Sequence, residues 1–207
     1  MKYLITNNQF NLLMESNEDK ILMIPNPDRI GGWSILQQLL EKAGNPRYGI
    51  RGDLNLDESY IKSLGKLERV EGDLSLYGSN IKSLGNLKYI GGNVDLRHTS
   101  FESLGNLEYV GDSIDLRNSS IKSLGNLERV EGYLDLYRVF IESLGNLEYV
   151  GGNLDLYGTT VESLGDLKHV GGNLDLRLTP LSKITTEEEI RSKVNVGGNI
   201  HLIRDTF

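Results

Sequence analysis

A chain of 207 residues with 38% hydrophobic content is long enough to bury a core as one or two domains. Its net charge of −7, with Lys and Arg dispersed along the chain, offers no basic stripe to a phosphate backbone and argues against nucleic acid as a direct partner. The absence of cysteine excludes disulfides, thiolate metal sites and cysteine nucleophiles.

The opening MKYLITNNQFNLL has no apolar core followed by a small-residue cleavage site, and no run approaches the roughly eighteen apolar residues of a membrane span. These features predict a cytoplasmic protein without membrane contact. Thr6 and Gln9 form a capping-box signal ahead of Phe10, Leu13 and Met14 at helical spacing. ILMIP reads as a strand closed by Pro25 and Pro27. WSILQQLLEKAG then places Ile35, Leu36, Leu39, Leu40 and Ala43 on one stripe, with Gly44 as the stop. Residues 1–51 are therefore expected to form a helical N-terminal cap.

From residue 52 to 181 the chain repeats every twenty residues. Leu54, Leu74, Val94, Ile114, Leu134, Leu154 and Leu174 form one apolar column, and Leu56 to Leu176 form another two residues on, which predicts one strand per copy. Four further apolar columns follow: Ile61 to Val161, Leu64 to Leu164, Leu67 to Leu167 and Val70 to Val170. One copy alone cannot offset about 1–2 kcal/mol per residue of ordering entropy. Stacked copies can, because each buried aliphatic side chain contributes about 1.5–3 kcal/mol. The expected fold is a mainly β repeat solenoid with a parallel sheet of about eight strands.

Two glycine columns mark corners. Gly65 to Gly165 sit in the SLGxL turn, where positive φ is expected; Gly72, Gly92, Gly132, Gly152 and Gly172 precede each strand, with Asp112 as the one substitute. Asp tolerates the left-handed region, so the same backbone reason is expected there.

The phrasing GGNLDLxxTxxxSLGNLxxV resembles leucine-rich repeats, most closely the receptor L-domain variety and the short repeats of some bacterial and phage proteins. The resemblance covers residues 52–181 plus a last strand near Asn199 to Ile203, and it implies a parallel strand on one face of each coil. The opening ITNNQFNLLMESNE is similar to those of small phage-encoded proteins. The chain departs from the family at the asparagine-ladder position, which reads Ser59, Ser79, Thr99, Ser119, Val139, Thr159, Thr179. Hydroxyls there can bond the neighbouring coil's backbone, whereas Val139 cannot.

Behind the repeats, Leu174 to Ile200 spans twenty-six residues, and the six extra fall in TTEEEIRSK, where Thr186 and Glu189 form a capping box. Residues 182–207 are expected to be a C-terminal capping repeat with a short helix, and the whole to be one cooperative domain.

Three columns beside the buried pair point outward. The first reads Asp53, Asp73, Asn93, Ser113, Tyr133, Asn153, Asn173; the second Asn55, Ser75, Asp95, Asp115, Asp135, Asp155, Asp175; the third Asp57, Tyr77, Arg97, Arg117, Tyr137, Tyr157, Arg177. Stacked carboxylates at about 4.8 Å oppose folding unless compensated. Arg97, Arg117 and Arg177 lie beside Asp95, Asp115 and Asp175, but Asp135 and Asp155 have Tyr137 and Tyr157, so negative potential should concentrate at the fifth and sixth copies. The fifth copy also carries Arg138-Val139-Phe140 where others are polar, which predicts two exposed apolar groups beside Tyr137 and Tyr133.

A column on another wall, Arg69, Tyr89, Tyr109, Arg129, Tyr149, His169, offers an alternative surface. His98, His169 and His201 occupy three different columns, no serine has a histidine at motif spacing, and no phosphate loop occurs, so no enzyme and no cofactor is expected.

The expected function is non-catalytic binding of a protein partner with a basic surface through Tyr77, Asp95, Arg97, Asp115, Arg117, Tyr133, Asp135, Tyr137, Arg138, Phe140, Asp155, Tyr157, Asp175 and Arg177. Two alternatives stay open: a phage-type inhibitor or nucleic-acid mimic that blocks a host protein, and a homodimer or larger assembly built through Phe140.

Overall fold

The computed structural model describes residues 21–202, and over them the twenty-residue period becomes a solenoid of parallel strands. Each coil crosses two sheets. The second sheet holds the anticipated eight strands, Leu54–Asn55, Leu74–Ser75, Val94–Asp95, Ile114–Asp115, Leu134–Asp135, Leu154–Asp155, Leu174–Asp175 and Ile200–His201. Residues twenty apart pair directly, as Leu134 with Leu154 and Asp135 with Asp155, and the lengthened last coil still brings Leu174 opposite Ile200.

The first sheet has nine strands: Leu22–Pro25, Tyr48–Arg51, Leu67–Val70, Tyr89–Ile90, Tyr109–Val110, Arg129–Val130, Tyr149–Val150, His169–Val170 and Asn195–Val196. This gives every full coil a second strand, where the sequence reading and the family resemblance imply one. Its signal is a Tyr-Val or Arg-Val pair, residues that favour strands, at the end of each LxxV segment.

All six apolar columns turn into the space between the sheets. Ile114, Leu116, Ile121, Leu127 and Val130 are fully buried in one coil, and only Ile61 and Leu164, toward the two ends, are partly buried. Below the lengthened coil a cavity of about 240 Å³ lies between Leu164, Leu167, Leu181 and Ile190, smaller than an ordinary small-molecule site.

The corners obey local chemistry. Ser63 Oγ accepts the Gly65 N–H at 2.9 Å, and the bond recurs in each SLG turn at 2.9–3.1 Å, with the glycines at φ 57–63° as expected. The other glycine column corrects the expectation, because none of Gly72, Gly92, Gly132, Gly152 and Gly172 has positive φ. They are small because coils press together there: a Cβ at Gly72 or Gly92 would lie 2.6 or 2.8 Å from the carbonyl carbon one coil below.

The hydroxyl column is also corrected. Thr99, Thr159 and Thr179 donate to the carbonyls of Leu96, Leu156 and Leu176 in their own coil, not to a neighbour. The turn is closed by backbone in any case: the Val139 N–H reaches Leu136 O at 2.9 Å just as Ser79 N–H reaches Leu76 O. Val139 therefore fits the common corner.

Both ends are closed by helices. Helix α1, Trp33–Lys42, buries Leu36 and Leu40 against the first coil, but Ile35, expected on the same stripe, is 41% exposed. The buried Tyr48 hydroxyl donates to Leu64 O at 2.6 Å and accepts from Gln37 at 3.2 Å, tying the helix to the first coil. Gly44 stops the helix at φ 81°. At the other end come the one-turn helix α2, Leu181–Ile184, and helix α3, Glu187–Arg191, whose Thr186–Glu189 capping box forms as expected. The segment with Thr6, Gln9, Phe10, Leu13 and Met14 lies outside the described residues, as does Ile203. Among the described residues no helix is long and apolar enough to cross a membrane.

Candidate interaction surface

The outer face of the second sheet carries all fourteen candidate residues, Tyr133 just ahead of its strand and the others on the strands or on the corner that follows them. Its columns have different tasks. The first is a ladder between coils: Asp53 Oδ1 accepts the Asp73 N–H (2.9 Å), Asp73 Oδ1 that of Asn93 (2.6 Å), Asn93 Oδ1 that of Ser113 (3.3 Å) and Ser113 Oγ that of Tyr133 (3.1 Å). Asn153 and Asn173 continue it to Asn173 and Asn199, both at 2.8 Å. Tyr133 interrupts this ladder with an aromatic ring that is 46% exposed.

In the second column one carboxylate oxygen closes a turn. Oδ1 of Asp95, Asp115, Asp135, Asp155 and Asp175 accepts the N–H two residues on, at 2.8–3.1 Å. The repetition of aspartate thus has a structural reason, and what distinguishes the coils is the fate of Oδ2.

Arg97 grips Asp95 with Nε and a terminal nitrogen (2.9 and 2.5 Å) and reaches Asp115 at 3.5 Å in the next coil. Arg117 repeats this, holding Asp115 at 2.5 Å and Asp135 at 3.3 Å. Arg177 pairs with Asp175. The chain of bridges stops at Asp135, because the two coils that follow carry Tyr137 and Tyr157. Asp155 has no cation within ion-pair distance among the described residues.

The electrostatics follow. Burial pushes the Asp95 and Asp175 carboxyls up, but the hydrogen bonds and charges of Arg97 and Arg177 outweigh it and hold both below their ordinary value. Burial raises Asp135 and Asp155, neighbouring carboxylates add to the rise, and the bonds from Tyr137 and Tyr157 N–H do not reverse it. The expected concentration of negative potential at the fifth and sixth coils is present, with Asp135 relieved in part by Arg117.

A carboxyl raised in the fold binds protons more tightly than in the unfolded chain, so its ionisation costs stability as pH rises through the raised value. Asp155→Asn keeps an acceptor for the Tyr157 N–H and removes the charge. It should stabilise the protein at pH 7 by about 0.2–1 kcal/mol, the usual cost of like charges facing across strands. The gain should disappear below the ordinary carboxyl range. Denaturant melts of both proteins at pH 7 and pH 3.5 check this; a gain that persists in acid contradicts it.

Aromatic groups gather at the same coils. The Tyr137 and Tyr157 rings stack at 5.2 Å, Arg138 lies 5.2 Å from the Tyr137 ring centroid and Arg177 lies 5.3 Å from that of Tyr157. Phe140 stands 78% exposed at the corner. Val139, expected beside it on the surface, is 1% exposed: it replaces a hydroxyl that already faced inward, and so joins the core. Tyr77, earlier in the column, packs against His98 and Arg97 instead.

The remaining wall, on the first sheet, is self-satisfied. Arg69 lies 3.6 Å over Tyr89, Tyr89 stacks on Tyr109 at 4.9 Å, Arg129 lies 3.6 Å over Tyr149 and Tyr149 stacks on His169 at 4.7 Å. These ring faces are occupied by neighbouring coils, so little is left for stacking with a partner. No family model, curated protein or solved structure matches the chain.

Proposed function

We propose that the chain is a leucine-rich-repeat-like, non-catalytic binding module that receives a protein partner with a basic surface on the outer face of the second sheet, centred on coils five and six. The observation that supports this most is a coincidence of exceptions. Tyr133 replaces a ladder acceptor, Tyr137 and Tyr157 replace bridging arginines, and Phe140 replaces a small or polar corner residue, all within two adjoining coils.

Each exception gives up local stability or solubility, and together they set aromatic rings beside Asp155, which has no ion-pair partner among the described residues, and Asp135, which Arg117 relieves in part. Tyr and Arg carry a large share of binding energy at interfaces, and residues that break a local rule without a structural return are expected at functional sites. The frame adds little ordering cost on association because every strand is fixed by its neighbours.

Tyr137→Ala combined with Tyr157→Ala should reduce partner capture without lowering the melting temperature by more than a few degrees. A quantitative pull-down from host lysate, with wild type and variant side by side, measures it. Equal capture of the same protein by both removes this placement.

A further inference from the structure

The chain shows which group fits between adjacent carboxylates of the second sheet. Arg97 spans Asp95 and Asp115, and Arg117 spans Asp115 and Asp135, each with its planar fork on the aspartate of its own coil and its Nε 3.3–3.5 Å from the aspartate of the next. The next pair, Asp135 and Asp155, has the same register and the same turn-closing bonds, but Arg117 reaches only Asp135, at 3.3 Å, and no guanidinium among the described residues spans the two. Columns two residues apart on a strand lie about 6.6 Å apart. The two carboxylates therefore form the floor of a trough, with Tyr133 on one side and the stacked Tyr137 and Tyr157 on the other.

We propose that this trough binds an arginine side chain of the partner protein, the guanidinium bridging Asp135 and Asp155 against the Tyr137 and Tyr157 rings, with an apolar residue beside that arginine resting on Tyr133 or Phe140. The inference rests on the protein-binding reading above and specifies the chemistry of the contact.

Charge complementarity selects a cation, because the aspartates of the coils below are bridged by the chain's own arginines, whereas Asp155 has no ion-pair partner among the described residues and Asp135 has only the 3.3 Å contact of Arg117. Geometry selects guanidinium over ammonium: its several N–H groups serve carboxylates on two strands about 4.8 Å apart, as in the two intramolecular copies, whereas a lysine is a point charge. The wall adds an apolar flank of ring edges, since the faces of Tyr137 and Tyr157 are engaged with each other and with Arg138 and Arg177. Half-burial and the raised proton affinity of Asp135 and Asp155 mean that an incoming positive charge relieves a cost the free protein carries.

The test is a titration of the ¹⁵N-labelled full chain with acetyl-Gly-Arg-Phe-Gly-amide and its lysine and citrulline counterparts, at a fixed ionic strength of about 0.15 M. The amides of Tyr137 and Tyr157 donate to the carboxylates in question and report directly. They should shift saturably with the arginine peptide, and binding should weaken by about tenfold or more with citrulline or in Asp155→Asn, the loss of a charge-assisted bond. The Arg97 and Arg117 amides, whose carboxylates are already bridged, should not move.

Equal effects of lysine or citrulline, equal movement at Arg97 and Arg117, or no movement at Tyr137 and Tyr157 each overturn the arginine assignment. A silent titration together with tyrosine-dependent capture from lysate removes the arginine alone and leaves the binding face standing. Retained signal dispersion in Asp155→Asn separates lost binding from lost folding.

Discussion

Deleting residues 105–124 should leave one cooperative stack, whereas deleting 105–114 should break it in two. The longer deletion joins Leu104 to Gly125, so the turn SLG is rebuilt and every later residue moves by one complete coil back onto a matching column. Both sheets lose one strand, Tyr109–Val110 and Ile114–Asp115, and the flanking strands, already of the same sequence type, meet in register. In a stack where each coil contacts only its neighbours, the loss is one coil and one interface.

The shorter deletion is half a coil. It would lay second-sheet strands against first-sheet strands at the junction, so that Tyr and Arg positions such as residue 77 meet Leu positions such as residue 67, and the coils on either side, each still in its own twenty-residue register, would no longer continue one another. Circular dichroism and urea melts distinguish the outcomes. The long deletion should keep one cooperative transition with an m-value lower by about a tenth, in proportion to the 20 residues removed from 207. The short one should lose that single transition and melt in two steps at lower urea, one for each side of the junction. A half-coil variant that melts in one step as stably as the parent would mean that vertical pairing of like positions does not hold the molecule together.

The second large effect belongs to Arg117. Its removal takes from Asp115 the partner at 2.5 Å, leaving only the 3.5 Å contact of Arg97, and from Asp135 the partner at 3.3 Å, and the Asp115 side chain is only 11% exposed. Breaking a fully buried pair costs about 3–5 kcal/mol; because the arginine itself is 44% exposed, Arg117→Ala should cost about 2–3 kcal/mol. For a domain of this size the melting temperature falls by about 5–10 °C. Adding Asp115→Asn to Arg117→Ala should recover about half of the loss, since the amide still accepts the N–H of residue 117 and carries no charge. If the double variant is no more stable than the single one, the cost comes from lost packing of the arginine stem and not from the uncovered carboxylate.

How much of this was legible in the sequence depends on the kind of information each position carries. The apolar columns, the SLG glycines, the twenty-six-residue last coil and the Thr186 capping box could be read because each is a repeated or local signal with one physical meaning. The ion pairs of Arg97, Arg117 and Arg177 could be read because alternate residues of a strand share a face. The first-sheet strands were hidden: they are two residues long, as in Tyr149–Val150, and their LxxV spacing also suits a turn.

A second hidden feature is a column of left-handed residues. Glu58, Gly78, His98, Asn118, Arg138, Gly158 and Leu178 all have φ of 50–66°, although only two are glycine. Tertiary pairing forces that conformation on side chains that disfavour it, so residue type gives no warning. The role of Asp53, Asp73, Asn93 and Ser113 as inter-coil acceptors was also hidden, because a polar residue facing outward looks the same whether it meets solvent or the amide above it.

The bridging pattern has an evolutionary corollary. In each repeat a single codon, at positions 77, 97, 117, 137, 157 and 177, follows by two residues a position that is Ser75 in the first of these and aspartate in the other five, and there it decides whether that aspartate is gripped by an arginine of its own coil. Read along the molecule these sites spell Tyr, Arg, Arg, Tyr, Tyr, Arg. Since none of the six reaches the interior, unequal crossing-over or point change at these sites can rewrite the address that the surface displays while the scaffold beneath is inherited unaltered.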